Sequence, residues 1–134
     1  MQISHIALVF WLASTSAWEL TIYNNVKGCN ANDDTMYRIL HGTNQNCYTF
    51  DRDMPGVSCS QFKRGGWQGP EGCSRESLLP TSVLVEPEGP ATCWFYAGEN
   101  CDRLGTFPIP MGNYQRSCLS PTNGFRAKSF QCTW

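Results

Sequence analysis

Eight cysteines lie between positions 29 and 132 of this 134-residue chain, and the first 28 residues contain none. An even number fits four disulfides formed in an oxidising compartment. Bridges of this kind add about 2–4 kcal/mol each, chiefly by restricting the unfolded chain. The count alone leaves their connectivity open. Metal binding is the rival use of cysteine, but zinc sites favour close pairs such as C-x-x-C. Here the closest pair is Cys93 and Cys101, and beyond residue 5 the chain has one histidine, His41. No metal and no cofactor are expected.

The chain opens with a short apolar run from Ile6 to Leu12. It is too short to span a bilayer, which takes roughly 20 apolar residues. Small residues from Ala13 to Ala17 follow it, and Thr15 and Ala17 suit the −3 and −1 positions of a signal-peptidase site. We therefore expect residues 1–17 to be a signal peptide and residues 18–134 a secreted domain. No second apolar run occurs, so a released, extracellular product without stable membrane insertion is expected. No Asn-x-Ser/Thr sequon is present, so no N-linked glycan is expected.

Ten Lys and Arg against eleven Asp and Glu leave a net charge of −1. That balance gives no electrostatic case for nucleic acid or for anionic membranes. Twelve Gly and eight Pro break any long helical pattern, while Leu20-Thr21-Ile22-Tyr23 and Val83-Leu84-Val85 read as strands. An all-β chain with irregular loops follows.

The sequence repeats itself. One copy starts at Leu20-Thr21-Ile22-Tyr23 and the other at Cys93-Trp94-Phe95-Tyr96. Tyr23 is 6 residues from Cys29, and Tyr96 is 5 from Cys101. Cys29 and Cys47 are 18 apart, Cys101 and Cys118 are 17 apart. Gly56-Val57 precedes Phe62 as Gly124-Phe125 precedes Phe130, and Thr35-Met36-Tyr37 stands where Thr106-Phe107 does. The division is half one over 18–62, a linker over 63–80 and half two over 81–134. The repeat suggests Cys29–Cys47 and Cys101–Cys118 as equivalent bridges. Cys93–Cys132 would then tie the first strand of the second copy to its last, and Cys59–Cys73 would pin the linker.

The second copy, from Cys93-Trp94-Phe95-Tyr96 through Leu104-Gly105-Thr106-Phe107 to Ala127-Lys128-Ser129-Phe130, resembles a βγ-crystallin Greek-key motif. Tyr96 matches the aromatic residue of that family's first strand, and Ser129 the serine that holds its folded hairpin. In the first copy Tyr23 matches, and Gln61 aligns with Ser129 unless Ser58 or Ser60 serves. The resemblance implies a disulfide-stapled Greek-key β-sandwich of two similar halves. The calcium-binding stretch of some family members has no clear copy here. In size, leader and cysteine content the chain also resembles the small secreted cysteine-rich proteins of filamentous fungi, which include effectors, toxins and wall-binding proteins.

Signs of catalysis are sparse. A serine triad needs a histidine, and His41, in Leu40-His41-Gly42-Thr43, reads as a turn residue without a Gly-x-Ser-x-Gly elbow. Paired carboxylates could hydrolyse sugars. Asp33, Asp34, Asp51, Asp53, Glu86, Glu88, Glu99 and Asp102 are scattered through segments that read as solvated loops. Two features point to binding instead. Trp67, beside Lys63 and Arg64 in Lys63-Arg64-Gly65-Gly66-Trp67, either stacks on a sugar ring or anchors a partner, or packs against the core. Lys63-Arg64 is also a dibasic pair of the kind that processing proteases cut. Trp94, Phe95 and Tyr96 are consecutive, so not all of them can face one core.

These features together point to a secreted, monomeric, non-enzymatic protein acting outside the producing cell on a host or competitor target, as an effector or toxin. The partner is an extracellular protein or glycan. A glycan- or wall-binding module, an inhibitor of an extracellular hydrolase and a small hydrolase are the alternatives.

Overall fold

The structure, a computed structural model, describes residues 17–121 and 125–134. The expected signal peptide lies outside the described residues as far as Ser16, and Ala17 opens the first strand. Ten strands run through the described residues: β1 (Ala17–Tyr23), β2 (Tyr37–Gly42), β3 (Cys47–Thr49), β4 (Ser58–Lys63), β5 (Gln68–Gly72), β6 (Ser82–Glu88), β7 (Thr92–Tyr96), β8 (Ile109–Gly112), β9 (Ser117–Leu119) and β10 (Ser129–Thr133). They form two antiparallel sheets, of six strands in the order β5-β4-β2-β1-β6-β9 and of four in the order β3-β10-β7-β8.

Alternation along the strands sends one set of side chains inward. Trp18, Leu20 and Ile22 of β1 and Val83 and Val85 of β6 share one buried cluster with Phe95 of β7 and Phe130 of β10. Phe130 is its hub, with ring centroids 5.1 Å from Phe50, 5.2 Å from Trp18 and 5.8 Å from Tyr48. Trp18 lies flat against Gly42 across the β1–β2 ladder, where any β-carbon would come within 2.2 Å of the indole. The indole N–H is not stranded by burial, because it donates to the Asn44 carbonyl at 3.0 Å. In β7 the aromatic run divides as pleating requires: Phe95 is buried, while Trp94 and Tyr96 are half-buried on the other face.

The two sheets repeat one arrangement. The first sheet contains the run β2-β1-β6-β9 and the second the run β8-β7-β10-β3, each two neighbouring strands, a later strand and then a short strand. The short strand β3, from the first half of the chain, thus edges the second sheet, and β9, from the second half, edges the first. The β4–β5 hairpin lies outside this pattern and extends the first sheet beyond β2.

The exchange overturns two of the expected bridges. Cys29 pairs with Cys118 and Cys47 with Cys101. Cys118 sits on β9, opposite Leu84 of β6, and Cys47 sits on β3, opposite Gln131 of β10. β3 lies in the sheet of β7 and β10, and β9 in the sheet of β1 and β6, so each thiol is carried away from its expected partner. Cys59–Cys73 and Cys93–Cys132 form as expected, and the described residues hold no free cysteine.

Gln61 is not the counterpart of Ser129; Ser82 is. The Ser129 hydroxyl donates to the Gly98 carbonyl at 2.6 Å and accepts from the Cys101 N–H at 2.8 Å. The Ser82 hydroxyl donates to the Val26 carbonyl at 2.5 Å and accepts from the Cys29 N–H at 3.2 Å. Ser82 lies opposite Tyr23 as Ser129 lies opposite Tyr96. Gln61 is instead fully buried on β4, where it accepts from the Arg38 guanidinium at 2.8 Å. His41 is likewise not in a turn: it lies within β2, in register with Glu19 and Ser58.

Candidate functional site

The stretch 63–80 carries the β4–β5 hairpin's turn and return strand. Lys63 ends β4, a 3-10 turn follows over Arg64–Gly66, and Trp67 leads into β5. Arg64 (φ 52°), Gly65 (φ 68°) and Gly66 (φ 104°) all take left-handed backbone, which glycine adopts without a steric cost. Tight packing also demands glycine at 65, since a β-carbon there would come within 2.5 Å of the Asn32 carbonyl. The turn is tied down by the Gly65 N–H, which donates to the Thr35 carbonyl at 2.9 Å. Tyr37 and Phe62 stack behind it, ring centroids 4.9 Å apart.

This rigid turn presents Trp67 to solvent with 85% of its surface exposed, so the side chain does not pack against the core. Lys63, Arg64 and Trp67 line an open groove of about 810 Å³ together with Asn24, Asp33, Asp34, Met36 and Glu76. These residues come from the connection between β1 and β2, from the β4–β5 turn and, at Glu76, from the segment after β5.

The Asp33-Asp34 side is also built rather than loose. Thr35 is fully buried; its hydroxyl donates to the Asn25 side chain at 2.7 Å and accepts from the Asn32 N–H at 2.8 Å. The Asn32 side chain in turn accepts from the Asp34 N–H at 2.9 Å. Asn24 accepts from the Met36 N–H at 2.9 Å, so its carbonyl oxygen is already used.

Lys63 lies 3.5 Å from Glu76 and 3.8 Å from Glu71, pairs too exposed to contribute much stability. Among the described residues, the carboxylates of Asp33 and Asp34, the Arg64 guanidinium and the Trp67 indole N–H have no protein partner. The groove therefore offers two acceptors, two donors and one flat aromatic face that folding does not use.

The other expected candidates are dispersed. Glu99 pairs with Arg52 at 3.2 Å and Glu86 with Arg116 at 2.8 Å. Asp51 accepts from the Ser77 hydroxyl and the Leu78 N–H, and Asp102 from the Leu104 N–H. No three His, Cys, Asp or Glu side chains among the described residues are grouped as metal ligands. A second depression of about 530 Å³ lies over Arg38, Asp51, Asp53 and Arg75. Its Arg38 is consumed by the fold, donating to the carbonyls of Ser74 and Glu76. Burial pushes that guanidinium below its ordinary pKa, against the pull of Asp51 and Glu76.

The sequence singles out Trp67, Lys63 and Arg64 as binding candidates but does not join Asp33 and Asp34 to them in one groove. Asp33 and Asp34 were legible only as a hydrolase pair or surface charge, because nothing in the spacing brings residue 33 to residue 67. The equivalence of Met36 with Phe107 also fails in environment: Met36 is buried and Phe107 is 87% exposed.

Residues 18–132 match the family model described as "Secreted LysM effector LysM14, C-terminal domain". No curated protein and no solved structure matches the chain.

Proposed function

This chain belongs to the family of the secreted LysM effector LysM14 C-terminal domain, and on that basis we propose that it acts on a host or competitor target by binding rather than by catalysis. The protein is secreted and extracellular. Its disulfides suit that compartment. No helix among the described residues is long and apolar enough to cross a membrane.

The fold we propose is a βγ-crystallin-like pair of Greek keys. It is supported by the matching strand orders of the two sheets and by the matched hydrogen bonds of Ser82 and Ser129. On this reading the first half runs on through β6, and the β4–β5 hairpin is an insertion within it, closed at its base by Cys59–Cys73. The producing organism on this reading is a filamentous fungus, and the target is a protein or glycan of another cell.

The observation that carries the binding role is the exposed Trp67 on that hairpin. A hairpin outside the duplicated framework can vary without disturbing the core, and binding residues concentrate on such elements. The test is viability of living plant tissue and of competing microbial cells exposed to the folded protein, with reduced and alkylated protein as the control. Death or a defence response that the control lacks supports the reading. Equal behaviour of the two samples on every cell type overturns it.

A further inference from the structure

We propose that the Trp67 groove binds a neutral polysaccharide, with one sugar ring stacked on the indole and neighbouring hydroxyls held by Asp33, Asp34 and Arg64. This rests on the reading of the β4–β5 hairpin as the recognition element, and names its ligand class.

Three observations converge. First, Trp67 presents a flat apolar face at 85% exposure on a turn fixed by the Gly65–Thr35 hydrogen bond. Such a face suits the C–H-rich side of a pyranose, and a rigid aromatic loses little entropy on binding. Second, the groove's free polar groups are of both kinds, carboxylate acceptors at Asp33 and Asp34 and donors at Arg64 and the indole N–H. A hydroxyl both donates and accepts, so a polyhydroxylated ligand can satisfy the whole set.

Third, the charges nearly cancel. Asp33, Asp34 and Glu76 line the groove with Lys63 and Arg64, and Glu76 is already paired with Lys63. A polyanion would meet the carboxylates, and a polycation would meet the two basic side chains. A neutral ligand incurs neither repulsion. The groove is open and about 810 Å³ in volume, room for a chain that continues beyond the site. An apolar ligand would strand the carboxylates instead.

The experiment is co-sedimentation of the folded protein with insoluble chitin, β-1,3-glucan and cellulose, in dilute buffer and with about 0.5 M salt, where exposed charge interactions are screened. At least one of the three is expected to bring the protein down equally at both salt levels. Trp67→Ala is expected to weaken that binding about tenfold or more, with Trp67→Tyr recovering much of it. Asp33→Asn combined with Asp34→Asn is expected to weaken it by a smaller factor. Phe107→Ala, at an exposed ring outside the groove, is expected to bind as the parent does. Circular dichroism checks that each variant is folded.

Failure to sediment with all three polymers overturns the inference, as does binding indifferent to Trp67→Ala or abolished by salt. A protein that perturbs cells yet sediments with none of them removes the polysaccharide and leaves the effector reading in place. One that sediments through Trp67 yet leaves every cell type unaffected does the reverse.

Discussion

Ser82 and Ser129 make the same two hydrogen bonds in the two sheets, each donating to a carbonyl of a folded hairpin and accepting from the N–H of a disulfide cysteine. Both serines are buried, at 1% and 0% exposure, so water cannot take over when the hydroxyl is removed. Ser82→Ala and Ser129→Ala are each expected to cost about 1–3 kcal/mol in chemical denaturation, because a backbone donor and acceptor are left unpaired. The two serines share no partner, so the double variant should show nearly the sum of the two losses.

The crossed bridges predict a distinctive peptide map. Digestion without reduction should yield a fragment joining the Cys29 and Cys118 segments and another joining Cys47 to Cys101. A fragment joining Cys29 to Cys47 would refute the exchanged strands. Replacing both Cys29 and Cys118 by alanine opens a loop of 89 residues and should cost about 4–5 kcal/mol by loop-closure reasoning. Opening the 14-residue Cys59–Cys73 loop should cost about 3 kcal/mol.

Two tryptophans should respond in opposite ways. Trp18 is 1% exposed at the centre of the core, and Trp18→Ala is expected to cost about 3–5 kcal/mol. Trp67→Ala removes a ring that touches almost nothing, and its stability should stay within about 0.5 kcal/mol of the parent. Denaturation midpoints of the two variants measured side by side test this. A large loss for Trp67→Ala would mean the ring packs against the protein after all.

Tyr23 makes stability depend on alkaline pH. Burial pushes its phenol above the usual tyrosine value, with Tyr37 and Glu86 adding to the shift and Arg116 opposing it. In the unfolded chain the group titrates near roughly pH 10, so the folded protein holds the proton longer. Its contribution is therefore fully present below that pH and is lost as pH rises through the raised value. Denaturation midpoints should fall in that alkaline window, and Tyr23→Phe, which has no proton to lose, should flatten the fall.

Local pattern was readable where it is short-range. The alternation of Leu20 to Tyr23 and of Val83 to Val85 marked β1 and β6, and Cys59–Cys73 and Cys93–Cys132 were expected. The serine whose hydrogen bonds match those of Ser129 is Ser82, which lies beyond the β4–β5 hairpin. Phe62 and Gln61 then fall at the right spacing, while the structural equivalents, Val83 and Ser82, lie beyond the hairpin. The strand exchange left no trace in spacing, since spacing measures distance along the chain and β3 and β9 pair across it. For the same reason Trp67 and the Asp33-Asp34 pair each stand out in the sequence, but their meeting in one groove does not.

The exchanged bridges also set a schedule for synthesis. As the chain is threaded into the secretory compartment, Cys29 meets Cys47 well before Cys118 has been made, so the neighbouring thiol is offered first and the native one late. Neither crossed bridge can close until its later partner, Cys101 or Cys118, has been made. A chain that stops between the halves can close Cys59–Cys73 but holds Cys29 and Cys47 without their native partners. Only a chain that extends past Cys118 can carry both crossed bridges, so full oxidation reports the presence of both halves.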